Sequence, residues 1–504
     1  MSLITSSAQV PTKVSAYENF LGLDTSRDSI ALDTGTEQHL IELDNAFCDW
    51  RGQIVRDPSA DKRNADSFPV THIRHAAPDA VAWSEIRGDG IALNSEDGHL
   101  ETAIYPANAV VSSTTYNRKA IFTAFGLPSY GYDGTAWTRL QSNHLDTIRP
   151  AFMASVQRRL VVAGSQGFET RVFISRVDNE DIFPDDEPDN SENVLRAGYI
   201  DIANLLGTAD AITGLASFEQ DRLAIFTNDR TFIYRLDPNI EYWAVDDRAN
   251  INVGCTSHNS VVRAGSDLLF CSRDGVHSIK RSIENGILLY SVTMSEKIDT
   301  LYRELFRSVS NPQEISAVWN PDENQYHIFF PQPGGTDAKR LTLTVNNMVE
   351  ITEPAATKWS TGSFLNARCG DFLGGSLTYG TSGGVYTINN IEDAGEVAPQ
   401  MTITTPILWH GSVNTMKDTY SLILQAAGSG DITLIAYDEL NNALGSTIIT
   451  VSETPDDNNF PDVPLSTQYE WLFQYRYKGV KLRLTTTGNG LLRIIGFAVT
   501  VKTA

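Results

Sequence analysis

Lysine and arginine are scarce in this sequence compared with aspartate and glutamate. The chain has 39 Lys and Arg against 62 Asp and Glu, which gives a formal net charge of −23 at pH 7. Proteins that bind nucleic acid need cationic side chains to displace the counterions of the phosphates. The composition therefore argues against a sequence-reading nucleic-acid binder, and duplex DNA would be repelled from the surface.

Cysteine and long apolar runs are also rare. No run approaches the roughly 20 apolar residues that span a bilayer, and residues 1–11 have neither the basic flank nor the apolar core of a signal peptide. We expect a soluble protein with no membrane anchor and no export signal of its own.

The four cysteines form no C-x-x-C pair, which favours reduced, packed thiols over a zinc site or disulfides. They are Cys48, Cys255, Cys271 and Cys369.

Several motifs that mark enzymes are absent. The sequence has no H-E-x-x-H, G-x-x-x-x-G-K-[ST] or G-x-G-x-x-G segment, which argues against zincin, P-loop and dinucleotide chemistry. Propeller glycosidases build their sites from residues scattered over several blades, so a carbohydrate-active enzyme stays open as an alternative.

Isolated acidic and histidine residues offer weak candidates for a site. The loops at 179–192 and 453–462 could hold calcium, but neither has EF-hand spacing, and His72 and His75 would point to opposite faces of a strand, which favours surface or interface positions. We therefore predict no catalytic residue, no metal site and no cofactor. Carboxylate pairs that could act as acid and base, but that favour solvated turns, are Asp185 with Asp186, Asp246 with Asp247, and Asp456 with Asp457.

Short β-like runs separated by turn residues fill most of the chain from Thr71 onward. Runs such as 159–163 and 222–227 are rich in branched and aromatic residues, and they end at Gly, Asn, Asp or Pro. The hairpins recur at roughly 40 residues, the span of a four-stranded propeller blade. The pattern predicts an all-β protein with a degenerate β-propeller body and leaves the blade number open; candidate blades lie near residues 70–105, 108–145, 155–203, 209–245, 250–292, 313–360 and 361–392.

Three segments depart from this rhythm. Residues 179–192 are acidic and contain proline, so they predict an exposed loop. Residues 295–308 predict a helix with Ser295 as its N-cap. After Pro399 the strands become longer, which indicates a β-sandwich-like domain. We predict three parts: an N-terminal arm with the first strands at 1–68, a propeller-like body at 69–395, and a C-terminal sandwich at 396–504.

Two local patterns have both a structural and a functional interpretation. Residues 129–137 resemble the Asp-box hairpin of sialidases, but the spacing from Ser129 to Asp133 is too long, and even a true Asp box is a folding element of the hairpin. The basic stretch 476–483 alternates charges with aromatic and aliphatic residues. On so acidic a chain, this stretch favours a protein contact over single-stranded nucleic acid.

Several segments together carry a resemblance to a known family. They are residues 43–52 (LDNAFCDWRG), 56–58 (RDP), 221–234 (DRLAIFTNDRTFIY), 253–255 (VGC), 267–277 (DLLFCSRDGVH), 479–484 (GVKLRL) and 491–501. With the order of arm, degenerate blades and sandwich, these segments resemble the tail hub or nozzle proteins of short-tailed bacteriophages, also described as tail tubular or DNA stabilisation proteins. The similarity covers most of the chain from about Ala46.

The resemblance implies a non-enzymatic virion protein, assembled in the host bacterial cytoplasm as a homohexameric ring. Such a ring docks below the portal and adaptor, carries tail fibres, spikes or a needle, and forms the distal part of the DNA-ejection conduit. Duplex DNA would pass through the lumen without specific binding, which fits an acidic chain. The arm is the expected adaptor contact. The alternatives are another binding propeller, such as a receptor-binding or baseplate component, and the carbohydrate-active enzyme.

Overall fold

The structure is a computed structural model in which β-strands dominate. Within its described residues there are three α-helices, α1 (Asn143–Ile148), α2 (Ala203–Leu206) and α3 (Asp299–Ser308). The described residues are 12–27, 37–63, 69–75, 83–87, 92–94, 104–106, 109–134, 136–188, 192–206, 210–219, 221–246, 251–279, 293–333, 338–345, 357–373, 375–389, 398–411, 413–452, 467–487 and 492–503.

Seven short strands precede the propeller. Strands β2 and β3 pair in parallel, and β5 and β6 form an antiparallel hairpin. The bounds are β1 (Thr12–Tyr17), β2 (Asn19–Leu23), β3 (Glu37–Leu40), β4 (Glu42–Asp44), β5 (Ala46–Cys48), β6 (Ile54–Arg56) and β7 (Ala60–Lys62).

Seven antiparallel sheets then follow one another along the described chain. Each candidate blade interval holds one sheet, although the third sheet begins earlier than predicted, at Phe152. The sheets are, in order, β8 (Val70–His75), β9 (Trp83–Arg87) and β10 (Ala92–Asn94); β11 (Val111–Tyr116), β12 (Lys119–Ala124), β13 (Tyr130–Tyr132) and β14 (Trp137–Arg139); β15 (Phe152–Val156), β16 (Arg159–Ser165), β17 (Phe168–Ile174) and β18 (Gly198–Asp201); β19 (Ile212–Phe218), β20 (Arg222–Thr227), β21 (Thr231–Arg235) and β22 (Ala244–Val245); β23 (Val262–Ala264), β24 (Asp267–Ser272) and β25 (Gly275–Ser278); β26 (Ser316–Asn320), β27 (Gln325–Pro331), β28 (Ala338–Val345) and β29 (Thr357–Gly362); and β30 (Cys369–Leu373), β31 (Ser376–Thr381) and β32 (Gly384–Ile388).

These sheets form a closed ring. Residues from the first strand of every sheet line one central cavity, which is the arrangement of a β-propeller. The ring is closed by β7, which precedes the first sheet in sequence but pairs with β32 as the fourth strand of the last sheet. The pairing joins the two ends of the propeller and covers a strand edge that would otherwise stay open.

The remaining strands build a two-sheet sandwich behind the propeller. One sheet has the order β37-β34-β40-β6-β5, with β1 on β40 and β38 on β34, and the other continues from β29 through β4, β33, β39, β35 and β36. The all-β prediction of a propeller body with a C-terminal sandwich is confirmed. The bounds are β33 (Thr402–Thr404), β34 (Lys417–Gly428), β35 (Gly430–Asp438), β36 (Ala443–Val451), β37 (Thr467–Trp471), β38 (Arg476–Tyr477), β39 (Val480–Thr487) and β40 (Leu492–Thr503).

The predicted arm is divided between the two bodies. Strands β1, β4, β5 and β6 belong to the sandwich, whereas β7 belongs to the last propeller sheet. Strand β4 lies between β29 of the propeller and β33 of the sandwich, where Thr361 pairs with Asp44 and Asp44 with Thr402. One continuous sheet of nine strands therefore joins propeller and sandwich.

The predicted helix is confirmed over most of its length. Helix α3 follows a 3₁₀ turn at Glu296–Ile298, and Ile298 and Tyr302 are buried in the core beside sheets five and six. Ser295 occupies the predicted N-cap position, but its side chain caps no helical N–H, because its Oγ accepts the backbone N–H of Val276 at 3.1 Å instead. Ser295 thus links the start of the helical segment to β25.

Gly254 marks a close approach between neighbouring chain segments. A Cβ atom there would lie 2.2 Å from the backbone oxygen of Thr227, and the N–H of Cys255 donates to that same oxygen at 3.0 Å. The segment after the fourth sheet can pack against the β20–β21 turn only because the residue has no side chain.

A buried histidine anchors the first strand to the sandwich. Nδ1 of His410 lies 3.2 Å from the hydroxyl of Tyr17, and the imidazole is 4% exposed. Burial, reinforced by Lys417 and Lys13, lowers the pKa of His410 to about 3. The imidazole is therefore neutral in the folded protein.

This histidine should make the protein sensitive to acid. Below pH 6.5, His410 is protonated in the unfolded chain but stays neutral in the folded chain. The free energy of unfolding therefore falls as the pH drops from 6.5 toward 3. Between pH 6.5 and 5 we expect a loss of about 2 kcal/mol from this residue. Urea unfolding across that range should show a shallower pH slope in His410→Gln, whereas Tyr17→Phe should keep the wild-type slope. An unchanged slope in His410→Gln would contradict the assignment.

Candidate functional site: the central channel and the outer faces

The central channel is a polar cavity of about 460 Å³ inside the ring of first strands. An ion pair links the first and last sheets across it, with Nη1 of Arg74 3.7 Å from Oδ1 of Asp371. Nε of Arg74 also donates to Oγ1 of Thr115 on the second sheet, at 3.3 Å. The Arg74 side chain thus bridges three sheets where the ring closes.

Two histidines lie beside this ion pair. Nε2 of His72 is 2.7 Å from Oγ of Ser113, and Nδ1 of His258 accepts the N–H of Leu215 at 3.2 Å. Burial, together with the positive charge of Arg74, lowers the pKa of both imidazoles to about 4. At neutral pH they supply hydrogen bonds without charge.

The channel position of His72 corrects the sequence analysis. His72 was predicted at the surface or an interface, but it faces the ring interior, in edge-on contact with Phe122. His75 lies on the same strand, and its side chain is outside the described residues. No local sequence pattern could have revealed the channel, because its wall is formed by the first strands of all seven sheets, which lie far apart in the sequence.

A second cavity, of about 450 Å³, opens at the end of the ring where the first strands begin. Its wall includes Asn259, whose side-chain N–H donates to the carbonyl of Val111 at 2.8 Å. Glu314 and Arg368 also contribute, with opposite charges. The two cavities share Asn259 and Ser316 in their walls, so they are neighbours.

The acidic loop is a structural brace between the second and third sheets. Nζ of Lys119 donates to Glu180 at 2.6 Å, and although burial opposes the charged form, this contact lowers the pKa of Glu180. Asp186 accepts the hydroxyl of Ser142, the N-cap of α1, at 2.6 Å. Asp185 lies 2.6 Å from Nδ1 of His144. The prediction of a loop is confirmed for residues 179–188, but its Glu180 is buried rather than exposed.

The other carboxylate candidates do not form a site in the described residues. Asp246 lies 3.8 Å from Arg222 and 3.9 Å from Arg235, in a surface ion-pair cluster. Asp247, Asp456 and Asp457 lie outside the described residues, as does the loop at 453–462. No group of three or more His, Cys, Asp or Glu that could hold a metal ion occurs in the part of the chain that the structure describes.

Two motif-like segments are hairpin turns. Asp133 accepts the N–H of Ala136 at 2.9 Å in the β13–β14 turn, so the stretch that resembles an Asp box is a folding element, as predicted. Residues 380–384 (GTSGG) match the G-x-S-x-G pattern of hydrolases, a match that the search of the sequence for enzyme motifs missed. They form the turn between β31 and β32, not the strand-to-helix elbow that exposes a nucleophile.

All four cysteines are free and buried, as predicted. Burial raises the pKa of Cys48 and of Cys255 to about 12 and that of Cys271 to about 11. Nucleophilic attack needs the thiolate, so these three cysteines are unreactive at neutral pH. No helix among the described residues is long and apolar enough to cross a membrane.

The sandwich ends in two neighbouring edge strands, β36 and β37. Ile448 on β36 is 68% exposed and Leu472, just after β37, is 71% exposed. Tyr475 lies over β36, because a Cβ on Gly445 would come within 2.7 Å of its hydroxyl. Within the described residues, the outer edges of these two strands have no further partner strand, and exposed apolar side chains lie beside them.

The basic stretch 476–483 is partly neutralised by acidic neighbours. Nε of Arg476 lies 3.2 Å from Asp418, and Arg483 lies 3.8 Å from Glu42. Lys481 lies 5.5 Å from the ring centroid of Tyr437. These contacts place acidic or aromatic groups beside three of the four cations in the stretch.

The comparisons with known proteins show similarity of fold alone. No protein-family model and no curated protein matches the chain. The WD40 β-propeller domain of Doa1 matches at 11% identity, with TM-score 0.37, over 66% of this chain and 96% of that one. YCF48 from Cyanidioschyzon merolae matches at 11% identity, with TM-score 0.38, over 66% and 99%. The computationally designed Ika8 protein matches at 11% identity, with TM-score 0.37, over 66% and 100%.

The sheet order and the shared cavity define the class of protein. The chain is a β-propeller protein whose propeller continues into a β-sandwich through one sheet.

Proposed function

We propose that this protein is a structural virion component, the tail hub or nozzle subunit of a short-tailed bacteriophage. The observation that carries the proposal is the nine-stranded sheet shared by propeller and sandwich. A continuous sheet lets a force applied to one body pass to the other without a hinge. Such stiffness suits a tube segment that must keep its bore during DNA ejection, and we propose that the protein acts through its surfaces and not as a catalyst.

The charge of the chain supports a conduit. At a net charge of −23, carboxylates along a lumen would repel phosphates over the roughly 8–10 Å that physiological salt leaves unscreened. Lys and Arg on such a wall would bind DNA and slow it. We propose a homohexameric ring with an acidic or neutral lumen, through which duplex DNA passes without specific binding.

We propose that β36 and β37 lie at the contact between neighbouring copies. Unpaired strand edges with exposed apolar residues are ready to pair with another chain. Ile448 and Leu472 lie at these edges. Pairing in a closed ring would cover every such edge, which favours a ring over an open fibre.

The arm supplies a second contact, which we propose for the portal–adaptor complex. Most of its strands are buried in the sandwich, but the β5–β6 turn displays Trp50, which is 68% exposed. The Arg51 guanidinium carbon lies 4.7 Å from the centroid of the Trp50 ring. Asp49 fixes the turn by accepting the N–H of Gln53 at 2.8 Å. Rigidly held Trp and Arg residues are typical of interface hot spots.

Mass photometry and electron microscopy test the proposal. The full chain should form rings on its own, and these rings should join a portal–adaptor complex of a short-tailed phage when the two are mixed. Ile448→Glu should abolish ring formation, whereas Val194→Glu, at an exposed propeller position, should not. Wild-type protein that stays monomeric and never joins the complex would overturn the proposal, as would rings with an electropositive lumen.

A further inference from the structure

The sixth propeller sheet has one apolar face and one polar face. Strands β27 and β28 pair Gln325 with Thr344, His327 with Thr342 and Phe329 with Arg340. These residues alternate with the apolar residues that fill the core beside the fifth sheet. All six are buried on the face toward β31 of the seventh sheet. On the same face, Phe329 packs with Val318, Leu377 and Tyr379 in an apolar cluster beside these polar residues.

Hydrogen bonds satisfy only part of this polar face. Arg340 pairs with Asp57, and its Nη1 lies 3.3 Å from the hydroxyl of Tyr379. Nδ1 of His327 lies 3.3 Å from that hydroxyl and 3.2 Å from Oγ1 of Thr342. Arg340 can only donate, so the tyrosine oxygen accepts from it, and the hydroxyls of Tyr379 and Thr342 can both donate to Nδ1 of His327. We therefore assign the imidazole N–H to Nε2.

Several donors on this face have no partner. Nε2 of His327, Nε2 of Gln325 and Nε of Arg340 make no hydrogen bond, and each residue is 5% exposed or less. A buried polar group without a partner costs about 1–3 kcal/mol. No acceptor among the described residues meets these three neighbouring donors, so they are available to an acceptor from a ligand.

A cavity of about 300 Å³ lies beside these residues, where four parts of the chain meet. They are the arm, the sixth and seventh sheets, and strand β40 of the sandwich. The wall combines donors, carboxylates and aromatic rings. Its members include Gln325, His327 and Arg340 on one side, with Asp322, Glu323, Arg493, Phe364 and Phe372 around the mouth.

We infer that this cavity is a binding site for a neutral polyhydroxylated ligand, of the size of a monosaccharide. A hydroxyl group both donates and accepts, so it can satisfy the unpartnered donors and the carboxylates of Asp322 and Glu323 together. An anion would face those carboxylates, and a cation would face Arg340 and Arg493. The volume lies at the small end of ligand pockets, and junctions between domains are preferred positions for such sites.

Saturation-transfer NMR on the full chain tests the site. The probes are glucose, galactose, mannose and N-acetylglucosamine, with sodium phosphate and sodium acetate as anionic competitors. At least one sugar should bind saturably at millimolar concentration or below, without displacement by either anion. Gln325→Leu should weaken this binding at least tenfold, whereas Gln468→Leu on β37 should leave it unchanged.

Several results would overturn the inference. They are the absence of saturable binding by every sugar, displacement by phosphate or acetate, and equal binding by wild type and Gln325→Leu. The first result would assign the cavity to ordered water alone. If Gln325→Leu does not fold, Glu323→Gln at the partly exposed mouth serves as the second variant, with the same expected loss. The measurement needs only monomers, so it stays separate from ring formation.

Discussion

Replacing Asp57 by asparagine is expected to lower the free energy of unfolding by about 3–5 kcal/mol. Asp57 and Arg340 form an ion pair in which each side chain is 6% exposed. Burial disfavours the charged guanidinium, but Asp57 and Tyr379 outweigh it and raise the pKa of Arg340. A guanidinium stays protonated at neutral pH even without a carboxylate beside it, so Arg340 keeps its charge in the variant but loses its buried counter-charge.

The matched control is Asp418→Asn. Asp418 pairs with Arg476 at 3.2 Å, but both side chains are largely exposed, so its removal should cost less than about 1 kcal/mol. Urea unfolding followed by tryptophan fluorescence and circular dichroism measures both variants. Equal losses in the two variants would mean that the Asp57 pair is solvated and does not join the arm to the propeller.

The hairpins were predictable because they are local. The run 222–227, the turn at Asn228 and Asp229, and the following strand appear as predicted, since alternation and turn chemistry act within a few residues. The pairing of Thr361 with Asp44 was not predictable, because it joins distant segments across a parallel ladder. The same holds for β7, whose three residues become part of a blade only after the ring closes.

The sites were less predictable than the fold. Arg74 and Asp371 meet because the first and last sheets are neighbours in a closed ring. The polar face of Gln325 and His327 alternates with Tyr326 and Ile328 on the same strand, which alone indicates only a buried strand. The candidate binding site on this face depends on the register between β27 and β28 and on the position of Asp57. No local sequence motif indicates either of these.

Replacing Arg159 by methionine should destabilise the protein by about 3 kcal/mol or more. Arg159 begins β16 and is 1% exposed. Its Nη1 donates to the carbonyls of Ser175 at 2.9 Å and Arg196 at 2.7 Å. Its Nη2 donates to those of Val194 at 2.6 Å and Pro238 at 3.3 Å. Methionine can fill the space, but it leaves four backbone acceptors without this donor.

The adjacent Arg158 provides the control. Its side chain is 74% exposed and pairs with Asp178 at the surface, so Arg158→Met should cost less than about 1 kcal/mol. Arg159→Lys should fall between the two variants, because an ammonium group cannot reach four carbonyls with the geometry of the planar guanidinium. Burial lowers the pKa of Arg159 to about 10, so the wild-type contacts should persist to pH 8. If Arg159→Met is no less stable than Arg158→Met, Arg159 does not tie the third sheet to the loop that follows the fourth sheet's β21.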